Sequence, residues 1–153
     1  VNTVFKSEDI IYLVEDDFLH LPNWDLYIRD GIENTPCEYI TLYDHPDKYF
    51  APMYRNLQST VFIGKLTHWR TTPSTTNTFA CTWETLKQDM FIHKRVCSSP
   101  CNLEDKRIPF TYDHLRFVEL GKAGSTLVSC IPGRSTNSEP NYLTPFINWN
   151  DQL

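Results

Sequence analysis

Glu15, Asp16 and Asp17 stand side by side directly after an apolar run, Ile10 to Val14. Carboxylates repel one another, and burying them is costly unless something positive lies between them. Hard oxygen ligands clustered in this way suit a divalent cation, with Mg2+ or Mn2+ favoured. Mg2+ commonly takes one or two protein carboxylates together with phosphate oxygens. The plainer reading is a solvated turn after a strand. A further acid, Asp44, closes a second β-branched and aromatic stretch and is followed at once by His45.

The elements that must carry these residues follow from patterning. Residues 9–14 are apolar at consecutive positions, which predicts a central strand covered on both faces. Pro22 and Asn23 open a helix over 24–33, with Trp24, Tyr27 and Ile28 on one face. Residues 38–44 (EYITLYD) predict a second strand. Residues 59–72 predict a hairpin turning near Gly64 and Lys65. The Ser/Thr-rich stretch that follows reads as a loop, then a helix from about Thr82 to Lys94, with no capping box at Thr82 and Thr85. Residues 97–109 read as loop, and TYDHLRFVELGKAG as a helix closed by Gly121 or Gly124. STLVSCIP is a last short strand, and the tail from Gly133 is an irregular wrap. The order predicts an α/β fold with a mixed sheet and flanking helices. In open sheets of this kind sites lie beyond the carboxyl ends of the strands, where the three acids fall.

The chain has 153 residues, the size of one domain or a large part of one. Its formal charge of −5 lacks the basic face of a nucleic-acid binder. There is no run of 18 apolar residues, so no membrane span is expected, and the first residues are no signal peptide. A cytoplasmic location is expected. Five cysteines, Cys37, Cys81, Cys97, Cys101 and Cys130, are too loosely spaced for a disulfide framework. Free thiols in a reducing compartment are favoured over a local Cys97–Cys101 disulfide or a zinc site drawing on His93.

The stretches YLVEDDFLHLPNW, LYDHPDKY, HWRTTPSTTNTFA, IPGRSTNSEP and LTPFINW, in this order, carry a resemblance. From about residue 9 to 150 the chain resembles the GT-A-type nucleotide-sugar glycosyltransferases, in particular the glycosyltransferase domain of chlorella-type giant viruses. Glu15-Asp16-Asp17 matches the family's DxD-type motif, a weak signal alone; LYDHPDKY and HWRTTPSTTNTFA are more specific. The resemblance implies a GT-A-like mixed sheet and transfer of a sugar from a UDP- or GDP-sugar to a glycan acceptor, assisted by Mn2+ or Mg2+. It implies Asp17 as direct metal ligand, Glu15 on the donor ribose or a metal-bound water, and Asp16 in support. Trp69, Arg70, Ser74, Thr75 and Thr76 would line the sugar and acceptor side. Hydroxyls there suit sugar hydroxyls, and Arg70 suits phosphate.

Two departures stand out. Where the family is expected to read Ser-Thr-His, this chain has Ser135, Thr136 and Asn137, so Asn137 replaces an imidazole as the late metal ligand, with Glu139 as a compensating group. A GT-A domain also places a nucleotide-binding half before its DxD motif, and here only about nine residues precede the strand. The chain is therefore expected to be the catalytic and acceptor half of the domain. For an inverting transfer a carboxylate must take the acceptor proton. Asp89 is the first choice, then Glu84 and Asp44; a retaining transfer needs none. His45 is the best-placed histidine, His68 is a packing candidate, and His93 and His114 read as surface residues. Two alternatives are a metal-dependent phosphohydrolase using the same three acids, with Asp44 and His45 supplying the nucleophile or further ligands, and a non-catalytic carbohydrate-binding fragment.

Overall fold

A computed structural model of the chain describes residues 4–98 and 112–152. It has an α/β architecture. A six-stranded mixed sheet is formed by β1 (Ile10–Leu13), β3 (Tyr39–Thr41), β4 (Val61–Ile63), β5 (His68–Thr71), β6 (Phe79–Thr82) and β7 (Leu127–Ile131), in the order β1-β6-β3-β7-β5-β4. Among the described strands of this sheet only β3 and β7 pair in parallel. Two short strands, β2 (Phe18–His20) and β8 (Ser135–Asn137), form a separate antiparallel ribbon.

Successive residues of a strand point to opposite faces, and each face has its own cover. On one face α1 (Trp24–Asn34) packs against Ile40, Leu42, Trp69, Ala80, Val128 and Cys130. On the other, α4 (Met90–Ser98) and α5 (Tyr112–Lys122) pack on Tyr39, Phe79, Cys81 and Leu127 through Ile92, Val96, Phe117 and Leu120. Asp30 of α1 is 4% exposed and fastens that helix to the β4–β5 hairpin. It accepts hydrogen bonds from Trp69 Nε1 at 2.9 Å and from the Lys65 N–H at 2.6 Å.

Several expectations are corrected. The strand at residues 9–14 is not central: β1 is an edge strand paired only with β6, and Leu13 and Val14 are exposed. The stretch before Trp83 is not all loop, because Phe79–Thr82 is a fully paired inner strand. The helix expected over 82–94 is two helices, α3 (Trp83–Gln88) and α4, broken at Asp89. Thr82 caps α3 singly, accepting from the Thr85 N–H, without the reciprocal bond of a capping box, as expected. The predicted hairpin is present, its turn closed by Gly64 N–H to the Thr67 carbonyl at 2.9 Å. Between β3 and β4 lie a single helical turn, α2 (Asp47–Phe50), and a 3-10 turn over Pro52–Tyr54.

Candidate functional site

β1, β3 and β7 run in the same direction, so their carboxyl ends share one edge of the sheet. The segments leaving those ends are Glu15–Asp17, Tyr43–His45 and the turn into β8. Three links draw them together. The β2–β8 ribbon places Phe18 opposite Asn137. Tyr43 bridges to Ser135. The loop before β6 joins both, since Thr78 Oγ1 accepts from the Glu15 N–H at 3.0 Å and Thr41 Oγ1 donates to the Thr78 carbonyl at 3.0 Å.

The acids are not buried together. Glu15 is half-buried, and Asp16 and Asp17 are exposed, so water solvates the second and third carboxylates. Glu15 Oε1 accepts from Asn77 Nδ2 at 3.1 Å, and Asn77 in turn accepts from Arg116 Nη1 at 2.5 Å. Positive charge thus reaches Glu15 through one amide, a relay invisible in the sequence. Asp17 Oδ2 accepts from Asn137 Nδ2 at 2.7 Å. The Asn137 amide oxygen is taken by the Glu139 N–H at 2.8 Å. Asn137 therefore acts on Asp17 as a hydrogen-bond donor. Glu139 is exposed and joins the cluster through its backbone.

Among the described residues no three His, Cys, Asp or Glu side chains are gathered to hold a metal ion. Glu15 and Asp17 are each held by a side-chain amide, Asn77 and Asn137 respectively. Glu15 Oε2 and Asp17 Oδ1 have no hydrogen bond among the described residues.

Asp44 is fully buried. It pairs with Arg70 Nη2 at 2.6 Å and accepts from the Tyr49 hydroxyl at 2.5 Å. Burial raises its carboxyl above the ordinary value, against the pull of Tyr49 and Arg70. Both oxygens are spent on internal partners, so Asp44 anchors Arg70 and is not an open base.

Next to this edge is a cleft of about 150 Å3 lined by His45, Asp47, Lys48, Ser74, Asp113 and His114, among others. His45 Nδ1 lies 2.8 Å from Asp47 Oδ1, which also pairs with Lys48 Nζ at 2.8 Å. Burial alone would raise the Asp47 carboxyl; the hydrogen bonds and charges of His45 and Lys48 outweigh it and leave the group below its ordinary value. Ser74 Oγ lies 2.9 Å from His114 Nδ1 and 3.4 Å from Lys48 Nζ. Burial lowers the His114 pKa, and the Lys48 charge adds to this against the pull of Asp113 and Asp47.

The expected residues divide accordingly. Glu15, Asp16, Asp17, Asn137, Asp44 and His45 share one edge, with Arg70 tied to Asp44 and Ser74, Thr75 and Thr76 beside His45. Ser74 and Thr75 are buried and bonded within the protein, Thr75 to Thr41 Oγ1 at 3.2 Å, so they shape the cleft wall. Trp69 is corrected: it is fully buried on the α1 face, on the opposite side of the sheet from Arg70. Asp89 is corrected as well. It accepts from the Tyr39 hydroxyl at 2.9 Å and from Ser125 Oγ at 2.8 Å, at the amino ends of β3 and β7, the far edge from the acids. Glu84 is on the surface, bonded to Ser7 and Lys87. His93 and His114 are not surface residues: His93 is buried against Tyr39 and Phe79, and His114 enters the cleft.

Asp47, Lys48 and Asp113 are the residues that patterning missed. The first two stand inside the LYDHPDKY stretch; Asp113 opens α5 and gives no local signal. Cys37, Cys81, Cys97 and Cys130 carry free thiols. Cys101 lies outside the described residues, and with it the alternative of a local Cys97–Cys101 disulfide and most of the 97–109 loop. Among the described residues no helix is long and apolar enough to cross a membrane. Comparison with known proteins gave no matching family model, no matching curated protein and no matching solved structure.

Proposed function

We propose that this chain carries the metal-dependent catalytic site of a sugar transferase that uses a nucleotide-diphosphate sugar. One observation carries the reading: three parallel strands deliver Glu15–Asp17, Asp44–His45 and Ser135–Asn137 to a single sheet edge, beside a polar cleft. Ligands of open α/β sheets bind at such carboxyl-end crevices. Asp17 and Glu15 would hold Mn2+ or Mg2+. That cation, when bound with the donor, supplies Lewis-acid stabilisation of the leaving nucleoside diphosphate.

The chain's own groups have separable tasks. Asn137 fixes the Asp17 carboxylate, leaving one oxygen to face a ligand. Asn77 and Arg116 fix Glu15. Asp113 replaces Asp89 as the carboxylate for an acceptor hydroxyl proton, since it lines the cleft and Asp89 does not. His45, held by Asp47, presents a ring edge to the same space. Asp44 is fully engaged by Arg70 and Tyr49, so the phosphohydrolase reading loses the further carboxylate that Asp44 would have supplied.

The test is calorimetric titration of the chain with UDP- and GDP-sugars, with and without Mn2+. Nucleotide-sugar binding that requires Mn2+ and is lost in Asp17→Ala supports the proposal. Binding that ignores the metal, or survives Asp17→Ala unchanged, removes it.

A further inference from the structure

A second cleft, of about 510 Å3, opens between α2 with its 3-10 turn and the β4–β5 strands. Its wall includes Lys48, Arg55 and Arg70, the rings of Tyr49 and Tyr54, and Ser59. The lining contains no carboxylate, although the whole chain has a formal charge of −5. Such a local excess of cations in an acidic protein concentrates anions.

The three cations are not equally satisfied. Lys48 is bonded to Asp47, and its Nζ lies 4.4 Å from the Tyr54 ring centre. Arg70 gives Nη2 to Asp44, while its buried Nε has no partner; its guanidinium is 4.8 Å from the Tyr49 ring centre. Asp44 and Asp47 thus fix two of the cations from behind. Arg55 is exposed, and its guanidinium has no hydrogen bond or ion pair among the described residues. It is the charge left over for a ligand. The exposed Tyr49 ring beside Arg70 offers an apolar face of the sort on which a sugar ring rests.

We infer that this cleft binds an anionic sugar, a ring carrying a carboxylate or a phosphate, with Arg55 as the group that selects for the charge. Lys48 and Tyr54 also line the smaller cleft that holds Asp113 and His45, so the two spaces share a wall. The bound sugar is then the acceptor side of the proposed transfer; this assignment rests on that reading, whereas the binding itself does not.

The experiment titrates the full chain, without metal or nucleotide, with methyl glucuronide, glucose 6-phosphate, inorganic phosphate and methyl glucoside. Methyl glucuronide, glucose 6-phosphate or both are expected to bind about tenfold more tightly than methyl glucoside, with affinity falling as salt is raised. The two charged sugars separate a carboxylate ligand from a phosphate one. Arg55→Gln, checked by thermal melting to be folded, is expected to weaken the anionic sugar about tenfold and leave methyl glucoside unchanged. Equal binding of charged and neutral sugars overturns the inference, as does an Arg55→Gln chain of undiminished affinity or no binding by any probe. Inorganic phosphate binding as tightly as glucose 6-phosphate removes the sugar from it. A failure of Mn2+-dependent nucleotide binding would remove the transferase reading and leave these outcomes standing.

Discussion

Asp17 and Asp44 both follow a strand end, yet they have opposite roles, and burial is what separates them. Asp17 is exposed and holds a single side-chain hydrogen bond, so replacing it costs little structure. Asp17→Ala is expected to keep its stability within about 0.5 kcal/mol while losing Mn2+-dependent binding of nucleotide sugar. Asp44 is 0% exposed and is the ionic partner of Arg70, whose side chain is 11% exposed. Asp44→Ala leaves that guanidinium without its counter-charge and is expected to cost about 3–5 kcal/mol by denaturant unfolding. A stable Asp44→Ala chain would mean the pair is dispensable. The sequence displayed both acids by type and by strand position. It could not show that one reaches water and the other a guanidinium, because the Arg70 contact spans 26 residues of chain.

At the scale of elements, the long apolar and periodic segments were legible: α1, the β4–β5 hairpin, α5 and β7 fall close to their expected places. What escaped were pieces too short to show a period. β2 and β8 have three residues each, and β6 has four before α3 begins. Their pairing comes from distant strands, so nothing local announces it. The face of an edge strand is equally silent, which is why β1 read as central. Packing distances also override propensity. Gly31 sits inside α1, where Ala would ordinarily gain about 1 kcal/mol. Here a Cβ would stand 2.8 Å from Ile40 Cγ2 and 2.9 Å from the Trp69 ring, both atoms of the packed core. Overpacking of this kind costs about 1–3 kcal/mol. Gly31→Ala is therefore expected to lower the melting temperature, against its helix propensity; a raised value would show that α1 lifts from the sheet at no cost.

Across the whole molecule, burial lowers the pKa of three histidines in three different places, so acid should act on the fold as a unit. His20 is on β2, His93 on α4 and His114 on α5, and burial lowers the pKa of each below its ordinary 6.5. Arg116 adds to the effect at His93, and Lys48 at His114. In the unfolded chain each ring takes up a proton near pH 6.5, but in the folded chain only at lower pH. Below about pH 6.5 the unfolded state binds more protons, and stability must fall as pH falls. The stabilisation is complete above that value and is lost through the folded pKa values beneath it. Asp47 acts in a lower window: its carboxyl is held down by His45 and Lys48, so its contribution persists into the acid range and disappears last. Denaturant unfolding at a series of pH values separates these groups. His93→Gln removes one titrating ring while retaining polar atoms near the Tyr39 hydroxyl that His93 now meets at 3.0 Å. The slope of stability against pH between about 6.5 and 5 is expected to be shallower in that variant than in the parent chain, by at most about 1.4 kcal/mol per pH unit. An unchanged slope would mean that His93 takes up its proton alike in both states, and that α4 does not shield it.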